Sequence, residues 1–295
     1  MLGELPELLD LAEVIPVPFP RSPSHALGLP TWAELAHRLD EVTAREDLHG
    51  VVVTHGTNTL EETAYFLRLA TNPRVPVLVT GAMRPWNVLG SDGPLNLWQA
   101  ARYLTSGRAR PGVTVGLNGR IWDPRFVTKL DAFRPEAIGS LTAGPLAKID
   151  ADGSVVDLGQ PARGLAGRFG PLAAAVHWPR VEVVASFVGA DEAQIEAAVA
   201  AGASGLVIAG LGPGAVTPAQ DAAIDRAVAH GTVVCLSTRI PAPHVPVRSS
   251  TADRGILSSC RLSPQHARIV LLLALAGGIT EPTVLQGLLE EEVRS

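Results

Sequence analysis

Residues 50–59, GVVVTHGTNT, run straight into LEETAYFLRLA at 60–70, and the change of pattern between them decides the fold. Val51–Val53 is an apolar, β-branched run of strand length. In the second segment Leu60, Ala64 and Leu67 recur at helical spacing, and Glu61 and Glu62 stand in the first turn, where negative charge complements the helix dipole. The same alternation continues downstream: a strand at Val75–Thr80, a turn GAMRP, a helix from about Asp92 and a strand at Gly112–Leu117. A β-α-β-α-β order predicts a parallel sheet covered by helices. Ligands of such sheets bind at the carboxyl ends of the strands, which here are residues 54–59 and 80–85.

Farther out the pattern changes and then restarts. Asn118-Gly119 and Asp152-Gly153 are hairpin turn signals. A stretch with Gly, Pro and Arg comes next at 159–171, and from Val181 strands and helices alternate again to the end. The reading is α/β with two domains. A larger N-terminal parallel-sheet domain, 1–170, carries the site, and a smaller Rossmann-like domain fills 180–295. The first residues, MLGELPELLDLAEV, read as acidic and helical, without the basic stretch or cleavage site of a signal peptide.

Composition removes several classes. Of 295 residues 46% are hydrophobic, enough for a full core, so the chain is not disordered. The longest apolar stretch, Ile269–Ile279, is far short of the ~20 residues that span a bilayer, so no membrane is expected. A net charge of −5 with no basic cluster argues against nucleic acid as a partner. Cys235 and Cys260 form no CxxC and imply neither zinc nor a disulfide framework. Among the 24 Lys and Arg residues only Lys129 and Lys148 are lysines. Lysine can lose its proton when desolvated and arginine in practice cannot, so a surviving lysine is a candidate for chemistry.

The strand-to-helix turn Thr54–Thr59 is the densest site. The first N–H groups of a helix are unpaired and suit a carboxylate or an oxyanion, and Thr57 sets a hydroxyl beside them. The plainer alternative is that Thr57, Asn58 and Thr59 cap the helix. GAMRP brings the bare backbone of Gly81 and Ala82 to the same strand ends, and Phe126-Val127-Thr128-Lys129 supplies one of the two lysines. An unprotonated lysine beside a threonine hydroxyl is a workable general base; the alternative for Lys129 is a surface ion pair with Asp131.

VVVTHGTNTLEETAYFLRL, PVLVTGAMRP, SDGPLNLWQA and the isolated VTK, with RIPAP and SPQHARIVLLLAL near the end, resemble the bacterial L-asparaginase (asparaginase/glutaminase) family over essentially the whole chain. The resemblance implies hydrolysis of L-asparagine, or also L-glutamine, without metal or cofactor, by a homodimer or homotetramer whose sites are completed by a neighbouring subunit; the lack of a visible signal peptide points to the cytoplasm. It assigns Thr57 and Lys129 as a catalytic pair and gives Asn58 the place of the family's aspartate, which grips the substrate ammonium. Ala82 takes the position whose backbone meets the substrate amide. Ser24 takes that of the serine on the substrate carboxylate, with Ser22 competing, and His25 stands where many members have glutamine. Gly56 completes the substrate surroundings.

The departures bear on activity. An amide at 58 carries no charge. The C-terminal domain reads Gly210-Leu211-Gly212-Pro213-Gly214-Ala215 where members often carry an asparagine, and no glutamate lies between Glu196 and Glu281. No TGGTI-like strand, the bearer of the family's first nucleophile, precedes the helix-like start. Either the start lies at an internal codon, or this is a variant without that threonine. The exposed backbone that a missing strand would leave in a parallel sheet favours the first. The expected activity is asparagine hydrolysis, impaired by the missing threonine; the alternative is an inactive member that binds an amino acid or serves as an oligomeric module. An amidotransferase subunit acting on charged tRNA fits less well with the acidic charge, and no GxGxxG marks a dinucleotide site.

Overall fold

The computed structural model describes residues 5–45, 47–161, 163–170 and 177–294. These form two compact units: residues 5–161 with 166–170, and residues 163–165 with 177–294. Each is α/β. The leading Met1–Glu4 of the helix-like start lies outside the described residues.

In the first unit helix α1 is a single turn, Pro6–Leu9, and the chain beyond it is irregular up to a 3₁₀ turn at Ser24–Ala26. Among the described residues the N-terminal helix suggested by the sequence spans only these four. Farther on, Pro16, Pro18, Pro20 and Pro23 remove N–H donors and keep a helix from resuming before residue 24. Helix α2, Leu29–Thr43, then leads to strand β1, Val51–Thr54. Helix α3, Leu60–Ala70, and strand β2, Pro76–Thr80, come next, then helix α4, Gly93–Thr105, and strand β3, Gly112–Leu117. Strands β1, β2 and β3 pair in parallel, Val52 opposite Leu78 and Leu78 opposite Thr114, as the alternation predicts.

Beyond β3 the sheet turns antiparallel. Asn118 and Gly119 adopt φ of 50° and 69°, the left-handed pair that a tight hairpin needs. They reverse the chain into β4, Arg120–Trp122. Strands β5, Thr128–Lys129, and β6, Ile138–Gly139, form a separate antiparallel ribbon. Strands β7, Ala147–Ile149, and β8, Val155–Asp157, extend the main sheet to the order β1-β2-β3-β4-β7-β8. The parallel half stacks its C-terminal ends, residues 54 and 80, in register, so the turns beyond them are neighbours.

Helix α3 is buried on nearly every side: from Thr63 to Ala70 all eight residues are buried. Trp32 of α2 donates its indole N–H to Thr63 Oγ1 at 2.9 Å and stacks on Phe66 at 4.9 Å between centroids. An ionic group fixes α3 to the chain leaving β4. Arg125 donates to both oxygens of Asp123, and Arg68 Nε lies 3.5 Å from Asp123 Oδ1, all three side chains buried. That contact ties the segment ahead of Lys129 to the last turn of α3.

The second unit contains strand β9, Val181–Ala185, helix α5, Ala193–Ala200, strand β10, Gly205–Gly210, and helix α6, Pro218–Ala229. Strand β11, Val233–Thr238, the single turn α7, Ser249–Ala252, strand β12, Leu257–Ser258, and helices α8, Pro264–Ala276, and α9, Pro282–Arg294, complete it. Its sheet, in the order β12-β11-β10-β9, is wholly parallel. Cys235 and Cys260 are buried and free. No helix among the described residues is long and apolar enough to cross a membrane.

Replacing Thr63 by Val keeps the side chain's shape and strands the buried Trp32 N–H. An unsatisfied buried donor costs roughly 1–3 kcal/mol. Urea unfolding of Thr63→Val, monitored by tryptophan fluorescence, should show a loss of that size; an unchanged midpoint would mean that the indole finds another acceptor.

Candidate active site

Lys129 reaches from the two-residue strand β5 across to the turn between β1 and α3. Its Nζ lies 3.0 Å from Thr57 Oγ1 and 3.1 Å from Asn58 Oδ1. Thr57 is buried and Asn58 is exposed. The plainer alternatives are not seen at Thr59 or at Asp131. Thr59, the residue preceding α3, makes no side-chain cap; its hydroxyl donates to Ser24 O at 2.9 Å. Asp131 does not take Lys129; its Oδ1 accepts the backbone N–H groups of Phe133 at 2.7 Å and Arg134 at 2.9 Å. Those turn bonds hold the Asp131 carboxyl below the usual range.

Ser24 is also part of this cluster. A Cβ added to Gly56 would stand 2.7 Å from Ser24 Oγ, so residue 56 has to be glycine for the buried serine to lie where it does. The competing Ser22 is exposed, its hydroxyl directed at Pro23 O at 3.5 Å. His25, on the same 3₁₀ turn, is exposed. His55 braces the turn from its other side. Its ring Nδ1 lies 2.7 Å from Gly56 O, and the bond requires Nδ1 to carry the proton. Burial lowers the pKa of this ring, and its Nε2 is buried without a partner among the described residues.

Gly81 and Ala82 come in from β2. A Cβ at Gly81 would lie 2.3 Å from the carbonyl oxygen of His55 and 3.3 Å from Thr57 Cγ2, so this backbone presses directly on the Thr57 turn. The GAMRP turn is tied down by residues to which sequence reasoning gave no role. Asp92 accepts from Met83 N at 3.0 Å and Arg84 N at 2.8 Å. Asn96 donates to Gly81 O at 2.9 Å while its Oδ1 accepts from Asn118 N at 3.0 Å. The signal lies in SDGPLN, whose residue types also suit a plain helix start.

Glu61 is a third residue that sequence reasoning missed. Its carboxylate accepts the backbone N–H of Lys129 at 2.5 Å and interacts with the Thr128 hydroxyl. Burial raises its pKa, and the contacts with Thr128 and Lys129 oppose that rise. A first-turn acid reads as a helix-dipole residue, which hid this role. Beside the pair, a cavity of about 360 Å³ is lined by Asn58, Lys129, Leu130, Asp131 and Ala132. Among the described residues no cluster of three or more His, Cys, Asp or Glu is placed to hold a metal.

A hydroxyl under a lysine amine, with bare backbone from two strand ends around it, is equipment for attack on a carbonyl carbon. Comparison with known proteins shows the family. Residues 1–162 match the family model "Asparaginase, N-terminal", and residues 180–288 match "Glutaminase/Asparaginase C-terminal domain". The chain belongs to the asparaginase/glutaminase family. It is 33% identical to "L-asparaginase 2" of Bacillus subtilis (strain 168), the match spanning 93% of this chain and 73% of that protein. With "Glutaminase-asparaginase" of Pseudomonas fluorescens biotype A it shares 30% identity over 93% of this chain and 77% of that one. A crystal structure of a probable cytoplasmic L-asparaginase from Campylobacter jejuni superposes with a TM-score of 0.92 at 31% identity, covering 98% of this chain and 92% of that one. The two-domain α/β fold is thus that of the asparaginases.

Gly81→Ala should disturb this site from outside the reacting pair. The added methyl meets a main-chain oxygen that cannot yield as a flexible side chain would. Overpacking of this kind costs about 1–3 kcal/mol. Gly144, where an added Cβ meets nothing within 4 Å, is the control. Denaturation midpoints should fall for Gly81→Ala and not for Gly144→Ala; equal midpoints would show that the turn can move aside.

Proposed function

We propose that this chain is an asparaginase-type amidohydrolase that converts L-asparagine and water to L-aspartate and ammonia, with L-glutamine as a second substrate of the same chemistry. The observation that carries the reading is the 3.0 Å approach of Lys129 Nζ to Thr57 Oγ1. Unprotonated Nζ takes the hydroxyl proton as Oγ1 forms a bond to the side-chain amide carbon of the substrate. Backbone N–H groups of the turn meet the resulting oxyanion. The C–N bond then breaks, the proton passes to the departing nitrogen, and ammonia leaves. Water adds to the ester, and cleavage of the C–Oγ1 bond returns Thr57 and releases aspartate. The scheme uses no metal or cofactor.

In this reading Ser24 and Gly56 receive the substrate carboxylate with His25 at the rim, and the backbone of Ala82 receives the amide. Asn58 faces the ammonium. An amide holds a cation less firmly than a carboxylate, because charge-assisted hydrogen bonds are roughly twice as strong as neutral ones. The catalytic group belongs to a domain of residues 1–170, with 180–295 as the second domain. We place the protein in the cytoplasm as a homodimer or homotetramer whose neighbouring subunit closes the cavity beside Asn58. The Campylobacter jejuni neighbour, described as cytoplasmic, supports the location. Sedimentation would test the assembly.

Ammonia release from asparagine is the direct test. Stabilisation of the protein by asparagine or aspartate without ammonia would make it an amino-acid binder. Lys129→Arg keeps most of the side chain's length and its donor groups, so stability should change by less than about 1 kcal/mol. Guanidinium stays protonated at every usable pH, so kcat should fall about 10²-fold or more, the scale of a lost general base. Lys148, whose Nζ pairs with Asp150 at 3.0 Å on β7, gives the silent control, Lys148→Arg. Near-full turnover by Lys129→Arg would sink the assignment of the pair.

Asn58→Asp restores a charge opposite the ammonium. A hydrogen bond to a charged group contributes roughly 1.5–3 kcal/mol, so KM for asparagine should drop accordingly. Succinamic acid, which lacks the amino group, should gain nothing. Equal gains for both substrates would show that residue 58 is not the ammonium partner.

A further inference from the structure

Lys129 stands on a two-residue strand whose partner strand is equally short. An isolated two-stranded ribbon is marginal in water. A reacting lysine nevertheless has to be held close to its hydroxyl, since a misplacement of about 1 Å can cost 10²-fold in rate. Something other than the ribbon must fix the backbone of residue 129.

Glu61 is built for that. It lies four residues after Thr57 and two into α3, the helix that begins where the Thr57 turn ends. Its carboxylate leaves its own helix and takes the Lys129 backbone N–H, with the Thr128 hydroxyl as a second contact. A first-turn glutamate that served only the helix dipole would gain nothing by being half-buried against another strand. We propose that Glu61 is the positioning residue of the catalytic pair: by clamping the backbone of β5 to the first turn of α3, it sets the distance from Lys129 Nζ to Thr57 Oγ1. The proposal rests on the amidohydrolase reading for its kinetic consequence and on geometry alone for the clamp.

The charge acting on Glu61 among the described residues is that of Lys129; Thr128, the other side-chain contact, does not ionise. Burial raises the pKa of the Glu61 carboxyl against the lowering effect of these contacts. Protonation of Glu61 on acidification should therefore set in above the ordinary glutamate range, and the Lys129 N–H would then face a neutral acid in place of a carboxylate.

The chain's two lysines make this observable directly. Selective ¹⁵N-lysine labelling of the full chain yields two backbone amide signals, those of Lys129 and Lys148. The Lys129 signal should titrate with a midpoint above the ordinary glutamate range, and Glu61→Gln should abolish that titration while leaving the Lys148 signal as in the wild type. In kinetics with asparagine, Glu61→Ala should lower kcat about 10-fold or more with KM nearly unchanged, the sign of an interaction used in the transition state and not in binding. Glu61→Gln, whose carbonyl oxygen can still accept the N–H, should recover most of the lost kcat. Titration of Lys129 alike in wild type and Glu61→Gln, or wild-type kcat in Glu61→Ala, would overturn the proposal. A wild-type chain that releases no ammonia would overturn the amidohydrolase reading instead, and the labelled-lysine titration would still decide on the clamp.

Discussion

The contact between Lys129 Nζ and Thr57 Oγ1 joins residues 72 apart in sequence, and most of the first unit is arranged to make it. The hydroxyl arrives on a turn that a parallel strand and a buried helix hold from either side. The amine arrives on a ribbon outside the main sheet. Closing a loop of that length carries an entropic cost that grows slowly with length, and a single hydrogen bond worth about 1 kcal/mol could not offset it. The buried group of Arg68, Asp123 and Arg125 and the burial of Val127 bring the segment to α3. The amine meets the hydroxyl because the backbone is already there.

Close packing of main chain against main chain is the second requirement. Gly56 leaves room for Ser24, and Gly81 leaves room for the His55 carbonyl. Both are places where a β-carbon would collide, and both stand at the carboxyl ends of parallel strands, where ligands of such sheets bind. The main chain packed directly against the Thr57 turn brings no side-chain charge to it. Burial lowers the pKa of His55, residue 58 is an amide, and the ionisable Lys129 and Glu61 lie side by side, with Asp131 on the lining of the cavity.

Much of the fold was legible because it is written in local pattern. The run Val51–Val53, the periodicity of 60–70 and the turn at Asn118-Gly119 each specify their element within a few residues, and helix α3 and strand β3 keep the expected bounds. The start is misleading because the acidic, leucine-rich pattern of 1–14 outweighs the prolines at 16, 18 and 20, and proline blocks the continuation of a helix whatever precedes it. Glu61, Asp92 and Asn96 stayed hidden for a different reason. Each sits in or just before the first turns of a helix, where its residue type is explained by local rules alone. What each does depends on a strand or turn brought to it by the tertiary fold.

The scarcity of lysine pointed to Lys129, yet it pointed equally to Lys148. That second lysine makes a half-exposed ion pair with Asp150, a task arginine does as well. A survivor of compositional bias is therefore not by itself a functional residue. What separates the two is the chemistry of their partners. A carboxylate opposite Lys148 gains from a permanent positive charge, so nothing there favours a group that can shed its proton. The hydroxyl and the amide oxygen opposite Lys129 Nζ carry no charge themselves, and the hydroxyl has a proton to give. The proposed reaction asks the amine to shed its proton, which guanidinium does not do.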